Sequence, residues 1–330
     1  MDSSFHLPEL VAHADWGSSA RKRQAAVALL GQDQKYILHP PSPVSDPRAW
    51  ITQLERQIHK KGSVLIGFDF PIGLPLAFAR TAGIKDYLSI LPQFGEGEWA
   101  EFYNPANSPE QISLHRPFYP ARPGGSKREF LVNRLGLESF SELHRVCEQG
   151  QPISPYSRGR RAACPLFWTL GGQQVGKAAI SGWRDVLAPE IRKSKNKTSF
   201  WPFSGRLENL LITERLIVVE TYPAEFYSQL GITFSKRQIG AKTGKRSQND
   251  RKSNSATLLG WIEKLTITCP PDLSSIIQNG FGESSDGEDA FDAVVGLIGM
   301  LYILLGNRTL FEPENEQIRR IEGWIFGQSI

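Results

Sequence analysis

VLIGFDFPIG, residues 64 to 73, decides the fold. Val64 to Phe68 are apolar without alternation, the mark of a strand covered on both faces of a sheet. Asp69 then stands as the single charge between Phe68 and Phe70, and Pro71-Ile72-Gly73 stops the strand. A strand that closes on an acid in this way places the carboxylate at the sheet rim, where α/β enzymes collect their chemistry. A buried carboxylate needs a partner, because burying it unpaired costs several kcal/mol. A cation or an arginine such as Arg21 or Arg23 can fill that role.

Upstream of this run, VAHAD (11–15), QAAVALL (24–30) and KYILH (35–39) read as three short strands joined by the turns SSARKR and GQDQ, an antiparallel meander. Asp46 and Pro47 then open a helix in which Trp50, Ile51, Leu54 and Ile58 share one face. The order is three strands, a helix, and a fourth strand able to pair parallel with the first. Downstream, RLIVVETYPAEFY (215–227) returns to strand character. Between the two, residues 75–213 are rich in proline, glycine and aromatics (FYNPANSP, RPFYPARPGG, WPFSGR), with helical patches at Glu138 to Cys147 and Val175 to Leu187. This stretch reads as a large insertion that shapes a cleft over the core. The expected organisation is a single domain over 1–330, with core segments 9–74 and 214–306 and a C-terminal extension at 307–330.

The acids form the next pattern. Asp15 ends the first strand in HADWGSS, Asp69 ends the fourth, and Glu220 ends LIVVE before Pro223. Asp289 and Asp292, three apart in EDAFDAVVG, share one face of the closing helix. Asp289 suits a first helical turn, where an acid complements the dipole. Asp292 lies a turn deeper, before Ala293, Val294, Val295, Leu297 and Ile298, so something it binds must account for it. Alone, Asp15 could simply cap the backbone at Gly17. Together these acids outline a metal site, and oxygen ligands of this kind favour magnesium or manganese over zinc. His13, His39, His115 and His144 show no catalytic spacing, and His13 reads as a packed core histidine.

The net charge is only +4, but it is unevenly placed. Lys236, Arg237, Lys242, Lys245, Arg246, Arg251 and Lys252 face the single acid Asp250 in one short segment, which leaves 31 bases and 33 acids elsewhere. Such a patch reads either as a phosphate-binding surface or as a solvated loop. Cys147, Cys164 and Cys269 form no CxxC pair, so neither a disulfide framework nor a zinc site is expected. MDSSFHLPEL lacks the basic and apolar regions of an export signal, and Ala293 to Leu305 is too short to cross a bilayer. A cytoplasmic location without membrane contact is the expectation.

HADWGSS, IGFDFPIGLP, VVETYPAEF, the Ser235-Lys236 and Lys245-Arg246 stretches, EDAFDAVVG and, within the insertion, QVGKAAISGW together resemble the family called domain of unknown function 429, regarded as predicted nucleases of the RNase H-like superfamily. The resemblance spans Val11 to Gly306 in the right order. It implies an α/β fold with an RNase H-like mixed five-stranded sheet, an antiparallel meander plus parallel strands, flanked by helices. It also implies a hydrolase that cleaves phosphodiester bonds with two Mg2+ or Mn2+ ions. Asp15, Asp69 and Asp292 match the ligand positions of that superfamily, with Asp289 auxiliary, and Glu220 matches a motif of this family as a further catalytic acid. Lys236, Arg237, Lys242, Lys245, Arg246 and Arg251 would hold the nucleic acid, DNA or RNA, with Arg158, Arg160 and Arg161 as a second contact.

Two other classes fit parts of the pattern. Asp15-x-Gly17-x-Ser19 resembles the first phosphate loop of the actin and sugar-kinase superfamily, an ATP-dependent phosphotransferase reading, although Asp69-Phe70-Pro71 supplies no second Asp-x-Gly loop. A non-catalytic nucleic-acid-binding module would keep the fold and the basic segment without needing the acids.

Overall fold

A computed structural model describes residues 6–154, 157–160, 162–171, 175–193, 198–235 and 243–329. The chain divides into two compact units, Met1–Asp69 with Asn196–Phe311 and Ile325–Ser329, and Phe70–Lys195 with Glu312–Trp324 and Ile330.

The first unit is built on a mixed sheet. β1 (Leu10–Asp15) pairs antiparallel with β2 (Gln24–Leu30), and β2 with β3 (Tyr36–Pro43). In the β2–β3 turn, Gln34 takes a left-handed φ of 61° and the Gly31 N–H donates to the Lys35 carbonyl at 2.8 Å. α1 (Pro47–Arg56) follows, and its start is set by Asp46, whose carboxylate accepts the N–H groups of Arg48 and Ala49. β4 (Val64–Phe68) then runs parallel to β1 in the register Leu10↔Val64 to Ala14↔Phe68. All five of its residues are buried, as an unbroken apolar run requires.

Beyond β4 the sheet continues with two parallel strands, β6 (Leu216–Glu220) beside β4 and β5 (Thr198–Phe200) at the edge. The spatial order is β3-β2-β1-β4-β6-β5. The sheet therefore has six strands among the described residues, where five were expected. The added strand is only three residues long and lies in the stretch assigned to the insertion. Thr-Ser-Phe has no period to read, and its extended form is fixed by pairing to Leu216, Ile217 and Val218. α2 (Leu207–Thr213) joins β5 to β6 and belongs to the same unit.

After β6 come α3 (Pro223–Leu230), α4 (Gln248–Ser253), α5 (Ser255–Lys264), α6 (Pro271–Gln278) and the long α7 (Asp286–Leu304). α1 and α7 cover opposite faces. Trp50 of α1 meets Phe68 edge to face at 6.1 Å, whereas α7 packs across β1, β2 and β3 on the side of His13 and Gly67. Small residues allow that approach. A Cβ at Gly296 would lie 2.2 Å from the His13 ring, and one at Gly67 would lie 2.6 Å from the Met300 sulfur. His13 is thus a packed core residue, and burial pulls its imidazole down to about 3, against a smaller opposing effect of the Ala293 backbone.

The tail is divided between the units. Its residues 325–329 stay with the sheet, where the Phe326 N–H donates to the Glu220 carbonyl at 2.8 Å and the Phe326 ring meets Trp201 at 5.7 Å. In the second unit, Phe94 stacks on Phe102 at 3.6 Å and Trp183 lies buried among aromatic rings. The Trp183 indole N–H donates to the Pro71 carbonyl at 2.6 Å. Arg145, fully buried, pairs with Glu148 at 2.8 Å and donates to the carbonyls of Ile72 and Glu322. The Glu322 carboxylate accepts the N–H groups of Leu76 and Val146, so these buried charges are matched by partners. No described helix is long and apolar enough to cross a membrane.

Candidate functional site

Asp15 and Asp69 end up side by side because β1 and β4 are adjacent and parallel and both stop on an acid. Asp15 is the last residue of β1, and the Asp69 N–H donates to the Ala14 carbonyl at 3.1 Å, which extends the ladder by one step. The pleat puts His13, Asp15, Gly67 and Asp69 on the α7 face. Asp292 reaches the same place from α7, one turn before the Gly296 that touches His13. Three elements distant in sequence thus deliver three aspartates to the carboxyl ends of the central strands.

Their electrostatics record the crowding. Burial and then repulsion from Asp292 and Asp69 hold the Asp15 carboxyl well above the usual range, against the pull of Lys245. Burial raises Asp69 to about 7, against the pull of Lys245, and the charges of Asp292 and Glu220 add to the rise. A hydrogen bond with Asp15 works the other way. Asp292, 1 % exposed, is raised chiefly by burial, and Lys245 and Tyr227 pull it back. Asp289 lies beside the cluster, half-exposed, and burial with the Glu288 charge lifts it to about 6.

Both oxygens of Asp292 are engaged. Oδ1 accepts the Tyr227 hydroxyl of α3, and Oδ2 accepts the Lys245 ammonium. Burial alone would lower Lys245, but attraction to Asp292, Asp15 and Glu288 holds it above its ordinary value, so it is a firm cation. Tyr227 is correspondingly pushed well above the ordinary phenol range by burial and by the Asp292 charge. Tyr227 escapes a sequence reading, since an aromatic on a mostly apolar helix has the signature of a core residue. Lys245 is legible as basic, but its inward direction is not.

Glu220 is buried in β6, yet it pairs across from Phe68, and the pleat sends its side chain to the α1 face. It acts on Asp69 through charge from the opposite side of the sheet. Arg23, weighed as a partner of Asp69, instead lies over the Trp16 ring at 4.1 Å and donates to the Gly17 carbonyl at 3.0 Å.

The basic segment needs correction. Arg251 is not a surface contact: it is 1 % exposed, and it donates to the carbonyls of Gly280, Gly282 and Lys245 at 2.8, 2.7 and 2.5 Å. A run of charge in sequence does not say which members fold inward, and here three backbone carbonyls take up this guanidinium. Lys245 faces the aspartates, whereas Arg246 is exposed and lies 3.8 Å from Glu288. Lys236, Arg237 and Lys242 lie outside the described residues, as do Arg161 and the side chains of Arg158 and Arg160.

The donor set fits a hard divalent cation in chemistry: Asp15, Asp69 and Asp292 offer only oxygens, and Asp292 already holds an ammonium as a stand-in cation. It is closed in geometry. Among the described residues no three acidic, histidine or cysteine side chains stand around one point at metal-ligand spacing. The Lys245 ammonium and the Tyr227 hydroxyl already occupy the two oxygens of Asp292. Comparison with family models, curated proteins and solved structures finds no match to this chain, so the meaning of the cluster rests on its own geometry.

Proposed function

We propose that the Asp15, Asp69 and Asp292 cluster is the centre of a hydrolase that cleaves phosphodiester bonds in nucleic acid and depends on Mg2+ or Mn2+. The observation that carries this reading is the convergence of buried Asp15 and Asp292 with half-buried Asp69 at the carboxyl ends of parallel strands, where burial and mutual repulsion keep Asp15 and Asp69 hard to ionise unless a cation arrives. The sheet order, with α1 crossing from β3 to a β4 parallel to β1, agrees with the RNase H-like arrangement that the motifs resemble.

Asp15, Asp69 and Asp292 would hold the divalent ion, whose chemistry would be to polarise a phosphoryl oxygen and to acidify water. The chain's own residues do the rest. Tyr227 holds one oxygen of Asp292 and so fixes the direction of the other. Asp69, ionising near 7, can release its proton at neutral pH. Exposed Lys22 and Arg246 at the rim face solvent, where a nucleic-acid backbone can be met. The Gly17-Ser18-Ser19 turn beside Asp15 is small and accessible, leaving room for a phosphate.

One observation favours a second reading. The closed state of the cluster, with Asp292 paired to Lys245, suits a nucleic-acid-binding module in which the acids are structural. The two separate in one experiment on single-stranded, duplex, hybrid and branched DNA and RNA. Cleavage that requires Mg2+ or Mn2+ and is lost in Asp15→Asn supports the hydrolase. Salt-sensitive binding without cleavage, unchanged in Asp15→Asn and Asp292→Asn, supports the module.

A further inference from the structure

Lys245 has two carboxylate partners on one helix. Its ammonium sits on Asp292 and stands 3.5 Å from Glu288, one turn earlier on α7. The two partners differ in setting. The Asp292 side chain is 1 % exposed, whereas that of Glu288 is 24 % exposed and lies toward the rim. The lysine backbone is held in place, since the buried Arg251 guanidinium binds the Lys245 carbonyl at 2.5 Å and Asp250 accepts the preceding Gly244 N–H at 2.7 Å. The side chain above that anchor is 41 % exposed and has four rotatable carbons with which to swing.

Given the reading of Asp15, Asp69 and Asp292 as ligands of a divalent ion, we propose that Lys245 is the internal competitor for that ion, and that its ammonium moves from Asp292 to Glu288 when the ion binds. An ammonium and a dication cannot share one buried carboxylate oxygen, because their charges repel at contact distance in a poorly screened site. Either the lysine leaves or the ion is refused. Leaving is inexpensive, since Glu288 keeps the ammonium paired and closer to water. The same exchange explains how one set of acids can be closed with no three of them at ligand spacing and still be a cation site. The ion's affinity is then set by the difference between two bound cations, below what three aspartates alone would give.

Mn2+ binding to the full chain, measured by titration calorimetry and by the electron paramagnetic resonance of free Mn2+, tests this without any substrate. Lys245→Met is expected to bind Mn2+ about ten-fold more tightly than wild type, a difference of about 1.4 kcal/mol. Lys245→Arg, which keeps the charge, is expected to bind no more tightly than wild type. Lys245→Gln serves as the neutral variant if methionine disturbs folding, judged by the melting curve. Glu288→Gln should weaken binding in wild type and have a smaller effect in the Lys245→Met background, whereas equal effects in both would sink the exchange with Glu288. Binding that Asp15→Asn abolishes but Lys245→Met leaves unchanged overturns the competition and leaves the ligand assignment standing. Absence of Mn2+ binding in both wild type and Lys245→Met overturns the ligand assignment and the competition together.

Discussion

Asp69 ionises near 7 because burial, and then the Asp292 and Glu220 charges, oppose its negative form more than Lys245 supports it. In an unfolded chain the same carboxyl ionises at about 3.9. The native state therefore holds this proton more tightly, which contributes stability that is complete below about pH 4 and lost as the pH rises through about 7. With chelator present, the melting temperature should fall across that window, and it should fall less in Asp69→Asn, which cannot ionise. Parallel curves for the two proteins would show that Asp69 does not carry the pH dependence. Tyr227 offers a second check at this scale. Tyr227→Phe removes the hydroxyl from a buried Asp292 and is expected to cost about 1–3 kcal/mol in urea denaturation. It should also slow any metal-dependent cleavage, since Asp292 loses the donor that orients it.

α7 shows how an element becomes part of a site through its smallest residues. Its apolar sequence is buried nearly all round, and Gly296 lets it press on His13 of β1, which brings Asp292 level with Asp15. Gly296→Ala is expected to overpack this contact and destabilise the protein by about 1–3 kcal/mol. His13→Ala should recover part of the loss in the double variant, and equilibrium denaturation of the four proteins measures the coupling. The turn after Gly244 depends on Arg251 in a comparable way. Arg251→Ala leaves three carbonyls without their donor and is expected to lower stability by about 1–3 kcal/mol. Any loss of nucleic-acid affinity in that variant should then follow its unfolding curve, which binding assays on either side of the midpoint would reveal.

At the scale of the whole molecule, the net charge is only +4. Affinity for nucleic acid is therefore expected to come from a few exposed groups and to fall steeply with salt. Replacing Lys22 and Arg246 with alanine should lower the slope of log affinity against log salt by roughly 0.7–0.9 for each phosphate contact removed. An unchanged slope would place the nucleic-acid surface elsewhere.

Much of this architecture is legible in the residues. The meander, α1, the parallel β4 and the acid at each strand end follow from apolar runs, caps and breakers that act within a few residues, as VLIGF before Asp69 and Asp46 before Pro47 illustrate. The strand of Thr198–Phe200 is not, because three residues carry no period and their partner lies across a turn and a helix. Nor is the inward course of Lys245 and Arg251, since a basic run looks alike whether its members meet solvent, carbonyls or carboxylates. The sequence by itself determined that acids would stand at the ends of buried strands, because local hydrophobic pattern dictates where a strand stops. Only the tertiary structure decided which acids meet, which face Glu220 takes and which cation balances them, because those outcomes depend on pleat, register and the approach of α7, and no local pattern encodes all three.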